Sequence, residues 1–334
     1  MYPFLHLLKD GTLFVFTSKA SQIFDVHKNR VVRQMPMLNG LYRTYPNTGG
    51  SAMLPLTKEN NYEAEFMICG GGEIDKPWSI TEDTCGSIRP MSTDPQWKMT
   101  KMPGGGRVMV ESVLLLDGTI LWINGARRGC QGFGTGSEPA LDALIYNPKA
   151  NTWAYAGSSD IPRLYHSVAL MLLDGTILVT GSNPNEMPLL EDEIVLDDPI
   201  RAYATEFRVE KYTPHYLLGD NAKRRPTNVK VSQDTLMPGK TIVYIQYDLD
   251  PKVRPAAVKV MLYHGGFVTH GIHMGQVMVE MESLTPRLKG FDGRTWQVSA
   301  RIPDIKLAPG PYVIYIVVDG VPGVGQFMSV KSQQ

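Results

Sequence analysis

Apolar residues fall in short runs along the chain, and three stretches share one pattern: an apolar run, Asp-Gly-Thr, and a second apolar run. They are Leu5–Phe16 around Asp10 and Gly11, Val113–Gly125 around Asp117 and Gly118, and Ala169–Gly181 around Asp174 and Gly175. Asp-Gly between apolar runs is a strong hairpin signal, because glycine adopts the positive φ such a turn needs. The aspartates lie 107 and then 57 positions apart. The first interval therefore holds two periods of about 53 residues, and a further hairpin is expected inside it. Ser51–Leu56 and Phe66–Gly71, joined by a polar turn through Asn61, supply it.

A third strand is expected after each hairpin, at Gln22–Val26, Ala143–Pro148 and Glu206–Tyr212, and Trp97 and Trp153 mark the start of a fourth. Four strands per ~50 residues, with glycines closing the second strand, describe a kelch-type propeller blade. A generic antiparallel sandwich would not keep so regular a period. Residues 1–218 thus predict about four blades of a β-propeller. A polar, basic linker follows at Gly219–Pro226. Beyond it, Thr241–Gln246, Ala257–Leu262, Trp296–Ala300 and Tyr312–Val318 read as strands between Pro/Gly turns, without the blade signature. An immunoglobulin-like sandwich over 219–334 is the expectation. No convincing helix is predicted, so the fold class is all-β.

Composition agrees with this and narrows the function. The 334 residues carry 33 Lys plus Arg against 33 Asp plus Glu, a formal net charge of zero. Nucleic acid and anionic membrane both require clustered positive charge, so neither is an expected partner. No apolar run approaches the ~20 residues of a bilayer span. Met1–Phe4 lacks the basic-then-apolar order of a signal peptide. Cys69 and Cys85 are spaced to close a loop as a disulfide, with Cys130 left over; three buried thiols in a reducing compartment is the alternative.

Only seven histidines are present, so their neighbours matter. Tyr165-His166 opens the fourth blade on its innermost strand, which in a propeller lines the central channel. A phenolate oxygen beside an imidazole nitrogen suits Cu(II) better than zinc. Adjacent side chains on a regular strand face opposite ways, so both could ligate only at an irregular strand entry. Otherwise they are satisfied channel-lining residues. A second cluster, Tyr263–Gln276, holds His264, His270 and His273 among glycines, in a loop able to project from its own sheet. A metal site and a solvent-exposed loop are both open readings of it.

Arg163–Ser167 resembles the Tyr-His copper-ligand motif of the galactose oxidase and glyoxal oxidase family, and Gly266–His270 resembles its C-terminal histidine loop. Tyr2–Gly11, Gly181–Asn185 and Ala308–Tyr312 extend the likeness over nearly the whole chain, most closely to plant and fungal glyoxal oxidases. The resemblance implies a copper radical oxidase. Tyr165 would be axial ligand and general base, and His166 and His270 the imidazole ligands. Substrates would be small aldehydes such as glyoxal and methylglyoxal, or primary alcohols, with O2 reduced to H2O2. The resemblance also implies secretion, which favours the Cys69–Cys85 disulfide.

In that family, hydrogen abstraction falls to a tyrosyl radical cross-linked to cysteine, on an Arg-x-Tyr blade preceding the Tyr2–Gly11 segment. In the counterpart of the third blade, Arg107-Val108-Met109, methionine occupies the tyrosine slot. Arg43-Thr44-Tyr45 presents a tyrosine, but its motif matches another blade of the family. None of the three cysteines stands at the cross-link position. His273 and Val277 replace the family's usual Asn and Arg, and His273 is expected at the surface. Family propellers have seven blades against the four visible here, so the ligand spacing predicts a partial ring and an incomplete oxidase. The competing expectation is a non-catalytic module that binds glycans or proteins.

Overall fold

The computed structural model describes residues 2–198, 202–289 and 293–332. Four antiparallel sheets follow one another along the chain, each a meander in sequence order. The first comprises Phe4–Leu7, Leu13–Thr17, Ala20–Asp25 and Arg30–Gln34. The second comprises Gly50–Met53, Phe66–Cys69, Thr84–Ile88 and Lys98–Lys101. The third comprises Glu111–Leu114, Ile120–Ile123, Asp142–Asn147 and Thr152–Ser158. The fourth has three strands, Ser167–Met171, Ile177–Gly181 and Glu210–Tyr212. Its third strand is shorter than Glu206–Tyr212: the Glu206 N–H donates to the Ser182 carbonyl and the Arg208 carbonyl accepts from Arg163, outside the ladder.

The Asp-Gly-Thr turns fold alike for one local reason. Asp10, Asp117 and Asp174 each accept through Oδ1 from the backbone N–H of the threonine two residues on, at 2.9, 3.0 and 3.0 Å. The intervening glycines sit at φ +89°, +90° and +77°. A Cβ on Gly118 would meet nothing within 4 Å, so a side chain there is opposed by backbone strain alone. Gly118→Ala is accordingly expected to cost about 1 kcal/mol, read by urea denaturation. A loss under 0.3 kcal/mol (roughly the scatter of neutral surface changes) would contradict the turn geometry.

Sheet-on-sheet packing explains why strands inside the blades are buried throughout. Phe66–Cys69 is buried at every position, as is Glu111–Leu114 even with its polar residues. Cys69 and Cys85 lie directly opposite in the second sheet and are joined as a disulfide.

From Thr227 on, most of the strands form two sheets of a sandwich. One holds Thr227–Val231, Ile242–Asp248, Thr295–Arg301 and Glu282–Ser283; the other holds Thr235–Leu236, Gln326–Val330, Gly310–Val318, Val258–His264 and Val277–Glu280. Ile242–Asp248 alternates exposed and buried positions, as a strand with one wet face should. The helices among the described residues are short: Asp220–Lys223 and two single 3₁₀ turns.

The sandwich seals one end of the blades. Each blade presents at that end the turn between its first and second strands. Lys306 donates to the carbonyl of Lys9 (3.2 Å), Leu56 exchanges bonds with Met278 and Glu280 (2.9 and 2.8 Å), and Gly325 donates to Leu173 (2.8 Å). One apolar core runs without a break from Phe4, Phe14 and Phe66 to Val243, Leu262 and Ile314. In a meander, the segment entering the first strand and the connection from second to third strand lie together at the opposite end. Tyr45, Met109 and Tyr165 enter there, and so do the connections carrying Gln131, Phe133 and Asn183.

Candidate metal centre

Tyr165 and His166 are held by the buried arginine two residues before the tyrosine. Arg163, 3% exposed, donates to Glu210 (3.1 and 2.8 Å), the carbonyl of Gly181 (2.7 Å) and that of Arg208 (3.0 Å). Arg43 and Arg107, fully buried, occupy the same place in the second and third blades. Arg43 donates to the carbonyls of Gly70 and Thr84, and Arg107 to Asp142. Burial lowers both guanidiniums to about 10, against the pull of Glu82 and Asp142, so they stay charged at neutral pH.

The strand entry is irregular, as joint ligation requires. Leu164 donates its N–H to Ser182 Oγ (2.9 Å), and His166 takes φ +65°, while the regular strand begins only at Ser167. Left-handed backbone at a histidine turns its ring to the side Tyr165 faces. The two rings stack with centroids 3.8 Å apart.

His270 arrives from the sandwich. Between Val258–His264 and Val277–Glu280 the chain leaves its sheet as a two-stranded hairpin, Phe267–Thr269 and Ile272–Met274. The hairpin packs against Gly50–Met53 and Glu111–Leu114, the innermost strands of two blades, and so climbs the axis from the sealed end. At its tip the His270 ring lies 5.4 Å from His166 and 6.0 Å from Tyr165. His166 Nδ1 bonds the carbonyl of Asn183 (2.9 Å), and His270 Nδ1 bonds Thr269 Oγ1 (2.7 Å). A carbonyl only accepts, so Nδ1 of His166 carries the proton. His166 thus keeps an unprotonated Nε2 for a ligand, and in both histidines it is Nδ1, not Nε2, that these bonds engage, as in metal-binding imidazoles.

Burial pushes the Tyr165 phenol up to about 12, with Tyr45 and Tyr2 adding to the shift. Burial also lowers His166, helped by His270 and opposed by the Asn183 bond, which favours the neutral imidazole a metal needs. Among the described residues no three His, Cys, Asp or Glu side chains are grouped to hold a metal. The set is instead two imidazole nitrogens with a phenol oxygen, a mixed N,O donor set that fits Cu(II).

Other side chains stand around these three. Phe133, 45% exposed, stands edge-on to both Tyr165 and His166, at 5.6 and 5.8 Å. The Tyr2 ring lies 5.2 Å from His270 and 5.2 Å from Tyr45. Met109, at φ +57°, is buried in the small cluster that includes Tyr165. No sequence signal marked Phe133, which stands on an aperiodic connection, or gave Tyr2 a part in the site.

The structure separates the three C-terminal histidines. His264 stays on its sheet, bonded to the Pro311 carbonyl at 3.0 Å. His273 corrects the expectation of a surface residue: it is 4% exposed, with Nε2 on the Gly265 carbonyl at 2.7 Å. It lies on the hairpin strand that packs against the blades, so the ring faces protein where a free loop would face water. Burial lowers it to about 4, leaving it neutral.

Glu111 sits just below, fully buried on the third blade's innermost strand. It accepts from Asn124 Nδ2 (2.8 Å) and from the Ala169 N–H of the fourth blade (3.0 Å). Burial raises its carboxyl to about 8. The folded state therefore holds a proton that the unfolded chain releases above its ordinary ~4.3, and stability falls as pH rises from there to 8. Glu111→Gln should remove this fall. Its stability should match wild type near pH 4.5 and exceed it by about 2–4 kcal/mol at pH 8. A variant less stable than wild type at pH 8 would show that the carboxylate form is needed.

Blades around an axis, a sandwich closing one end, and a sandwich histidine meeting a Tyr-His pair at the other define a propeller oxidase architecture of the galactose oxidase type. The chain belongs to the glyoxal oxidase family: residues 1–216 match the family described as Glyoxal oxidase N-terminus, and residues 225–330 match the Galactose oxidase-like, Early set domain. An aldehyde oxidase of Vitis pseudoreticulata is 34% identical over 99% of this chain and 62% of its own length. A second aldehyde oxidase, from Arabidopsis thaliana, is 32% identical over 99% of this chain and 55% of its own. This chain thus spans somewhat more than half the length of these relatives. A fungal alcohol oxidase solved in complex with copper superimposes with a TM-score of 0.67 at 16% identity, covering 99% of this chain and 75% of that one.

Proposed function

We propose that residues 1–218 are propeller blades and 219–334 the immunoglobulin-like domain of a copper-dependent oxidase acting on a small aldehyde or primary alcohol. The observation that carries this reading is the meeting of Tyr165, His166 and His270 within 6.0 Å, with both Nδ1 atoms already engaged. His166 and His270 would hold copper through Nε2, and Tyr165 through its phenol oxygen. Copper in such a site supplies one-electron redox chemistry. Tyr165 Oη would take the hydroxyl proton of an alcohol or aldehyde hydrate, since a group whose ordinary pKa is high is a strong base once deprotonated. Phe133 shields the donors from bulk water on one side. For an aldehyde hydrate the net change is loss of two hydrogens to give the carboxylic acid, with O2 becoming H2O2. Secretion belongs to the same proposal and agrees with the Cys69–Cys85 disulfide.

A second reading, a binding module without turnover, has its own support. Cys69 and Cys85 are joined to each other, Cys130 is buried, and Met109 cannot form a phenoxyl radical. The test is to load the chain with Cu(II), treat it with a one-electron oxidant and supply methylglyoxal. Peroxide formed with matching oxygen uptake supports the oxidase. Copper bound without turnover, and without a tyrosyl-radical absorption, supports the binding module.

A further inference from the structure

We infer that Gln131 is the positioning residue for His270, clamping the tip of the sandwich hairpin to the entry of the second blade. The inference rests on His270 being a copper ligand only in its consequence for metal affinity; the clamp itself is a matter of hydrogen bonds.

The hairpin needs such a clamp. Thr269 pairs with Ile272, so His270 and Gly271 form a two-residue turn, at φ +56° and +73°. Turns with positive φ at both central residues favour Asn-Gly or Gly-Gly, because a Cβ in left-handed backbone costs about 1–2 kcal/mol. His270 bears that cost. Its carbonyl, at the tip, also has no partner in the hairpin ladder.

Gln131 meets that carbonyl from the third blade. Its Nε2 donates to the His270 oxygen, 139 residues away in sequence. The Gln131 side chain is itself fixed at its other end. Thr48 Oγ1 donates to Gln131 Oε1, and a hydroxyl giving its proton to Oε1 leaves Nε2 as the end that faces His270. The Gln131 N–H donates to the Pro46 carbonyl at 2.6 Å, and the Thr48 carbonyl accepts from Met109 N–H at 2.7 Å. Gln131 is 1% exposed and Thr48 fully buried. A buried glutamine held at Oε1 by Thr48 and at its own backbone N–H by Pro46 cannot swing freely, so it transmits the position of the second blade to the His270 carbonyl. The anchor falls on the stretch that follows Tyr45, so Tyr45 and His270 are referred to one another through it.

The test compares wild type with Gln131→Met, which keeps the length and removes both polar ends, and with Thr48→Val, which leaves Gln131 but frees its far end. In the copper-free protein, amide hydrogen exchange across 267–274 should quicken at least tenfold in Gln131→Met, with Val258–His264 unchanged. The Cu(II) Kd, by chelator competition, should rise about 10–100-fold, the range for loss of a group that orients a ligand. Thr48→Val should move both in the same direction by a smaller factor, and it decides the matter if Gln131→Met does not fold. Exchange and Kd within twofold of wild type would overturn the clamp. Should wild type bind no copper at all, the metal reading fails while the exchange measurement still decides the clamp.

Discussion

Replacing His166 or His270 with asparagine is expected to weaken Cu(II) binding by more than 100-fold, beyond the range for a residue that only orients a ligand. Asparagine is chosen for a structural reason. Both histidines occupy left-handed backbone, at φ +65° and +56°, where asparagine is tolerated and alanine is strained. The substitution therefore removes the imidazole while leaving the strand entry and the hairpin turn in place. Each variant should keep its copper-free melting temperature within a few degrees. His273→Asn, by contrast, should leave copper affinity unchanged, since that ring bonds the Gly265 carbonyl. If His270→Asn binds copper as tightly as wild type, His270 is no ligand.

Arg163→Met is expected to destabilise the protein by about 3–5 kcal/mol, as removal of one partner from a buried ion pair does. The methionine would fill most of the volume, so the loss is electrostatic and not a cavity effect. Glu210 would lose its charged partner and keep only the Ser159 hydroxyl, and the carbonyls of Gly181 and Arg208 would lose the arginine. Denaturant unfolding measures the change. A loss below 1 kcal/mol would mean that the arginine does not hold the fourth blade together. The same reasoning extends to Arg43, whose four bonds run to Asn39, Gly70 and Thr84. One such buried arginine stands in each of the second, third and fourth blades, at the end where the site lies.

What could be read from the chain is what repeats. The Asp-Gly-Thr turns are local, made by hydrogen bonds two residues long, and so their period reports the blades directly. Tyr165 and His166 are legible because the blade register places them at the entry to an innermost strand, and the apolar runs around them say which strand that is. Apolar Phe207 and Val209 suggest a strand over Glu206–Tyr212; both are exposed, and only Glu210–Tyr212 finds a ladder partner. Contacts across the axis left no local trace. Gln131 and His270 meet from different domains, and neither segment carries a pattern that predicts the other. His273 was misplaced for the same reason: glycine-rich sequence reads as an exposed loop unless the blades that bury it are known. Tyr2, next to the chain start, has too little sequence around it to show a periodicity.

The most direct test of the account is electron paramagnetic resonance of the chain loaded with one equivalent of Cu(II), read together with its visible absorption. Tyr165, His166 and His270 as ligands predict a tetragonal Cu(II) spectrum with coupling to two nitrogens, and a phenolate-to-copper absorption band. The band should vanish in Tyr165→Phe, and one nitrogen coupling in each histidine variant. A spectrum with no nitrogen coupling, or one left unaltered by all three substitutions, would contradict the metal centre described here.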